Sequence, residues 1–68
     1  MEYKIELLKL GKSQVNLMDA INSREEFGIK CNMNDVCYAL KGTPRPKYDK
    51  VREASEIIIN EWKAAALP

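Results

Sequence analysis

Apolar positions recur at helical spacing in four stretches of this chain, with polar, glycine-rich or proline-rich breaks between them. In the first stretch Tyr3, Leu7 and Leu10 fall at i, i+4 and i+7, and Ile5 and Leu8 widen the stripe. This pattern predicts a helix over residues 2–10. Gly11 is its expected stop, since glycine accepts a positive φ without steric cost. Ser13 is placed to cap the next helix through its hydroxyl. Val15, Leu17, Met18 and Ile21 supply the apolar positions of that helix, predicted over 14–22, with Ala20 small between them.

Residues 23–31 carry two readings. Ser23, with Glu26 three residues on, fits a capping box that starts a short helical turn; the alternative is a plain loop. Gly28 breaks either one, and Phe27 and Ile29 are expected to anchor the segment to the core. Asn32 is the next N-cap, with Asp35 in the first turn of a helix that carries Val36, Ala39 and Leu40 inward and stops at Gly42. Thr43-Pro44-Arg45-Pro46 reads as a stiff extended connection that no helix crosses. The longest helix is predicted over 48–66, with Tyr48, Val51, Ala54, Ile58, Trp62 and Ala65 in one stripe and Ser55 beside it. Ile57 and Ile59 fall off that stripe, because three consecutive isoleucines on a helix cannot share one face. The expected fold is all-α: a compact four- or five-helix bundle in a single domain.

Composition narrows the chemistry. A chain of 68 residues has room for one domain, and 46% hydrophobic with 31% charged residues suits a folded one. Eleven Lys and Arg against ten Asp and Glu give a net charge of +1, which argues against a non-specific basic binder. A sequence-specific binder depends on how charge is distributed rather than on its sum. Histidine is absent, and Cys31 and Cys37 are the only cysteines, so one chain cannot supply a closed structural zinc site. No base, phosphate loop or nucleophile motif suggests catalysis. Glu25 and Glu26 are adjacent and do not face each other across a cleft. No enzyme activity, cofactor, metal or small-molecule substrate is expected. Without a leader-like segment or about 18 consecutive apolar residues, the expectation is a cytoplasmic, nucleoid-associated protein with no membrane partner.

The pattern Leu8-x-x-Gly11-Lys12-Ser13-Gln14-x-x-Leu17-x-x-x-Ile21, followed by Asn32-x-x-x-Val36-x-x-Ala39-Leu40-x-Gly42 and the basic loop Thr43-Pro44-Arg45-Pro46-Lys47, resembles the Cro and phage-repressor (XRE-like) helix-turn-helix family. The resemblance runs from about Ile5 to Arg52. It departs from the family in a connection of about nine residues between the two central helices, and in Met18 where the family usually has alanine. It implies a lambda-repressor-like helix-turn-helix fold in a divergent member, of phage or mobile-element origin, that binds duplex DNA as a repressor or Cro-like regulator.

Side chains in the first turns of a helix laid in the major groove reach base edges. Met33, Asn34, Cys37, Tyr38 and Lys41 lie off the Val36/Ala39/Leu40 face. Asn34 is the best base reader, since its amide can pair with adenine through two hydrogen bonds, and Met33 suits a thymine methyl. Tyr38 and Lys41 reach for phosphates, as do Ser13 and Gln14 through the start of their helix. Asn32 sits with them at the start of the reading helix, and Arg45 and Lys47 would clamp the backbone from the proline-stiffened loop. A plain structural role stands beside each. Ser13 and Asn32 are caps, Cys37 a buried thiol, Tyr38 a cover for the core edge, and Asn34, Lys41, Arg45 and Lys47 solvated polar groups.

One small module covers too little DNA for tight binding alone, so a homodimer is expected, with Ile57 or Ile59 at its interface. The competing function is a helical protein-interaction module of the same fold, an antirepressor or regulatory-complex component.

Overall fold

A computed structural model describes residues 2–66. They form four α-helices: α1 (Tyr3–Leu10), α2 (Gln14–Ser23), α3 (Met33–Lys41) and α4 (Pro46–Ala66), with a single 3-10 turn, Glu25–Phe27, between α2 and α3. The protein is all-helical; no strand occurs among the described residues. The long helix α4 is the spine, and α1, α2 and α3 each pack against it, while α2 and α3 also pack on each other.

Local chemistry sets these limits. The side chains of Ser13 and Asn32 each close a capping box. Ser13 Oγ accepts from the Asn16 amide at 3.2 Å while the Asn16 carboxamide oxygen accepts from the Ser13 amide at 2.9 Å. Asn32 Oδ1 accepts from the Asp35 amide at 2.8 Å, and an Asp35 carboxylate oxygen accepts from the Asn32 amide at 3.0 Å. Each box satisfies two amides, one of them an N-terminal helix amide with no intrahelical partner. At the other end of α3, Gly42 takes φ 90°, and the Gly42 and Thr43 amides bond back to the carbonyls of Ala39 and Tyr38. That paired closure needs a left-handed residue at its centre, a conformation that costs glycine little.

Two expectations for the connections change. Ser23 is the last residue of α2, and its hydroxyl donates to the Ala20 carbonyl at 3.0 Å, so the Ser23/Glu26 capping box does not form. The 3-10 turn forms without a side-chain cap. The last helix starts at Pro46, two residues before the predicted Tyr48, with the Asp49 amide bonding to the Arg45 carbonyl at 2.9 Å. Proline is barred from helix interiors because it lacks an N–H, but at the first helical position that N–H has no partner to lose.

The core comprises Leu7, Leu17, Ile21, Cys31, Val36, Ala39, Val51, Ala54, Ile58 and Ile59. Each of the larger aliphatic side chains here is stabilised by about 1.5–3 kcal/mol relative to exposure. Tyr3, Leu10, Met18, Phe27, Ile29, Leu40, Tyr48 and Trp62 pack around it, half-buried. Ser55 is wholly buried; its hydroxyl is satisfied by the Val51 carbonyl at 2.7 Å. Ile59 is a core residue at 0% exposure, which removes it from any dimer surface and leaves Ile57, at 46%, outside. Ile5, Leu8 and Val15, read as part of the inward stripes, face solvent; Leu8 is 80% exposed. An eight-residue helix with five large apolar side chains cannot turn them all inward, and α1 buries only Leu7 fully. Ala65 is likewise exposed. No described helix is long and apolar enough to cross a membrane.

Candidate nucleic-acid interface

Helix α3 presents Val36 and Ala39 to the core, and the 3.6-residue repeat then fixes what faces outward. Asn34, Tyr38 and Lys41, at i, i+4 and i+7, are exposed in one row, with Met33 beside them. Cys37 lies at the edge of this row, half-buried, and its thiol is free. The buried thiol is instead that of Cys31; burial, reinforced by the nearby Asp35 carboxylate, raises its pKa.

The row continues onto the start of α4. The rings of Tyr38 and Tyr48 lie 6.0 Å apart between centroids, tilted by 30°. The Lys41 ammonium stands 5.7 Å from the Tyr38 ring, and the Arg45 guanidinium 6.0 Å from the Tyr48 ring. Cation, ring, ring and cation thus follow one another along an open surface, and Tyr38, Thr43, Arg45 and Tyr48 line a shallow depression there. Neither Lys41 nor Arg45 is ion-paired among the described residues. A cation near an aromatic face gains a fraction of a kcal/mol to about 1 kcal/mol at exposed sites, enough to bias its orientation while leaving its charge outward.

Lys47 is differently placed. Its ammonium pairs with Asp35 at 3.0 Å, joining the start of α4 to the start of α3. Asp35, the one carboxylate on α3, is turned into this contact and into its own capping box, with 13% of its side chain exposed. The Asn32 amide, and then Lys47, hold its carboxyl below the usual carboxylate range. An acid that a phosphate would repel is thereby withdrawn from the outer row.

Ser13 and Gln14 stand apart from this cluster. Ser13 is taken up by its capping box, and Gln14 lines a depression with Lys4, Leu8 and Lys12 on the α1 side. Lys12 itself sits 5.1 Å from the Trp62 ring. Asn32 is exposed at the head of α3, with its side-chain oxygen engaged as a cap.

Several residues that hold the surface in shape escape the sequence pattern. Asn22 acts as a clip on the long connection. Its Nδ2 donates to the Cys31 carbonyl and its Oδ1 accepts from the Cys31 amide, both at 2.8 Å. One side chain therefore closes the loop between α2 and α3 as a strand partner would, and delivers the chain to the Asn32 cap. Arg52 does the same for the other end of α3: its guanidinium donates to the Ala39 carbonyl at 2.9 Å and the Thr43 carbonyl at 3.1 Å, and pairs with Asp49. Tyr48, expected in the core stripe, does pack on the core, and its ring also borders the Arg45 end of the row.

Charge follows the same division. Residues 30–52 hold six cations (Lys30, Lys41, Arg45, Lys47, Lys50, Arg52) against two carboxylates (Asp35, Asp49), a net of +4. The remainder holds five cations (Lys4, Lys9, Lys12, Arg24, Lys63) against eight carboxylates, a net of −3. Among the described residues no three His, Cys, Asp or Glu side chains are grouped to hold a metal ion. The chain matches no family model, no curated protein and no solved structure.

Proposed function

We propose that the protein is a sequence-specific duplex-DNA-binding regulator of the Cro or phage-repressor type, acting by recognition alone and as a homodimer on DNA. The observation that carries this reading is the continuous outward row Asn34–Tyr38–Lys41 on α3, extended by Tyr48 and Arg45, within the part of the chain that concentrates positive charge. In this reading α3 lies in the major groove. Asn34 and Met33 meet base edges, and Tyr38, Lys41 and Arg45 meet phosphates. Ser13, Asn32 and Asp35 serve as caps, and Lys47 divides its charge between Asp35 and the nucleic acid. Ile57 is the apolar residue of α4 available to a second copy.

The test is affinity for random and for selected duplexes over a range of salt. Each phosphate neutralised contributes about 0.9 to the slope of log affinity against log salt. Asn34→Ala is expected to lower affinity for the selected duplex by about 1–3 kcal/mol and to leave random-duplex binding nearly unchanged. Equal losses on both duplexes would remove Asn34 from base reading. The exposure of Ile5 and Leu8 on α1 favours a second reading, a module that docks a protein partner; a chain with no duplex affinity at low salt would overturn the first reading and leave this one standing.

A further inference from the structure

Beyond the α3 row, a second basic surface lies on the long α2–α3 connection. Gly28, Ile29 and Lys30 from that connection meet Pro46, Lys47 and Lys50 from the first turns of α4 around an open depression of about 290 Å³. Three ammonium groups border it; of the carboxylates nearby, Asp35 is already engaged by Lys47 and the Asn32 amide, and Glu25 lines the adjoining depression with Gly28, Ile29 and Lys30. Lys30 and Lys50 form no ion pair among the described residues. Lys30 is not loose: its ammonium donates to the Asn22 carbonyl at 2.7 Å, the residue that clips the connection shut. That bond uses one of three ammonium donors and leaves two directed to solvent. Three like charges on one surface, two of them without an ion pair among the described residues, raise the local potential and favour a polyanion there.

Resting on the DNA-binding reading, we infer that the α2–α3 connection forms a phosphate shelf, in which Lys30 and Lys50 engage the sugar-phosphate backbone of the duplex beside the segment read by α3. Lys47 belongs to the shelf, and its pair with Asp35 ties the shelf to the start of α3. The length of the connection then has a use: its extra residues carry Lys30 to the first turns of α4, and the Asn22 clip fixes it there. The shelf adds affinity without sequence preference, since phosphates carry no base identity.

The experiment is a salt titration of binding to a random-sequence duplex by the intact chain, by Lys50→Gln, by Lys30→Gln/Lys50→Gln, and by Lys9→Gln on α1 as a charge control. The shelf predicts a slope of log affinity against log salt shallower by about one unit in the single variant and about two in the double, with Lys9→Gln unchanged. Because Lys30→Gln also removes the bond to Asn22, helicity is measured alongside. If the double variant loses helicity, Lys50→Gln and the charge-reversing Lys50→Glu decide, the latter at about two units. Unchanged slopes in folded Lys50 variants of a chain that binds duplex would overturn the shelf and leave the α3 reading standing. Absence of duplex binding by the intact chain would overturn both.

Discussion

The stretch from Lys30 to Arg52 and the remainder of the chain differ in charge and in how they are held in place. The first has a net of +4 and the second −3, so the overall +1 describes neither. The basic stretch is fastened at its ends by side chains that bond to backbone: Asn22 to Cys31 before α3, Arg52 to Ala39 and Thr43 after it. Helix α1 and the second half of α4 rely more on apolar burial, through Leu7, Ile58 and Ile59, with exposed ties such as the Glu6–Lys63 pair at 3.1 Å. Apolar burial is non-directional and leaves small adjustments open, whereas side-chain to backbone bonds fix a segment in register. The base reading proposed for this surface would need the second kind of fastening.

The strongest way to break this comparison is in the second half of α4. Ile59→Ala removes a fully buried side chain and is expected to cost about 2–5 kcal/mol, a large part of the roughly 3–10 kcal/mol available to a domain of this size. Ile57→Asp, two residues earlier and 46% exposed, is expected to leave helicity and the denaturation midpoint nearly unchanged. In sedimentation with a palindromic duplex, Ile57→Asp should lose the two-protomer complex proposed for the intact chain. One intact protomer per duplex at saturation would remove the dimer, and loss of fold in Ile57→Asp would place Ile57 in the core after all.

The next largest effect lies in the fastening of the basic stretch. Asn22→Ala deprives the partly buried Cys31 amide and carbonyl of their partners, an expected cost of about 1–3 kcal/mol. If the clip sets the α2–α3 connection, amide exchange should quicken first over residues 24–31, before α1 or the end of α4. Uniform acceleration along the chain would show instead that Asn22 contributes only to global stability.

These two sites also show what the sequence carries. Periodicity located all four helices, and Gly11, Gly42, Ser13 and Asn32 marked ends that the structure keeps. The outward row of α3 followed from the inward one, because a helix that buries Val36 and Ala39 must expose Asn34 and Tyr38. The phase of short or uniformly apolar segments was not legible: Leu7 and Leu8 are equally hydrophobic, and only the position of α4 decides between them. The same holds for Ile57 and Ile59. Nor were Asn22 and Arg52, whose partners lie nine and thirteen residues away and are backbone atoms that every residue possesses.

The smallest expected effect concerns Asp35, where the two regimes of the basic stretch, fastening and charge, meet in one side chain. Its carboxyl is held below the ordinary value, first by the Asn32 amide and then by Lys47. A folded-state pKa below the unfolded one means that the ionised form favours folding. The contribution is complete above the unfolded carboxylate value, about 3.9, and is lost as pH falls through the lower folded value. Asp35→Asn keeps an oxygen to accept from the Asn32 amide but gives up the charge that Lys47 pairs with. The intact chain should therefore be the more stable of the two at pH 7, and the difference should shrink below about pH 4 as Asp35 takes up its proton. Urea midpoints for both chains at neutral and acid pH measure this directly. A constant offset between the two curves would show that the carboxylate's charge adds nothing to the cap. The same substitution frees Lys47, so at pH 7 it should steepen the salt dependence of duplex binding while weakening the fold. Opposite signs in those two measurements would separate the charge that binds from the bonds that position it.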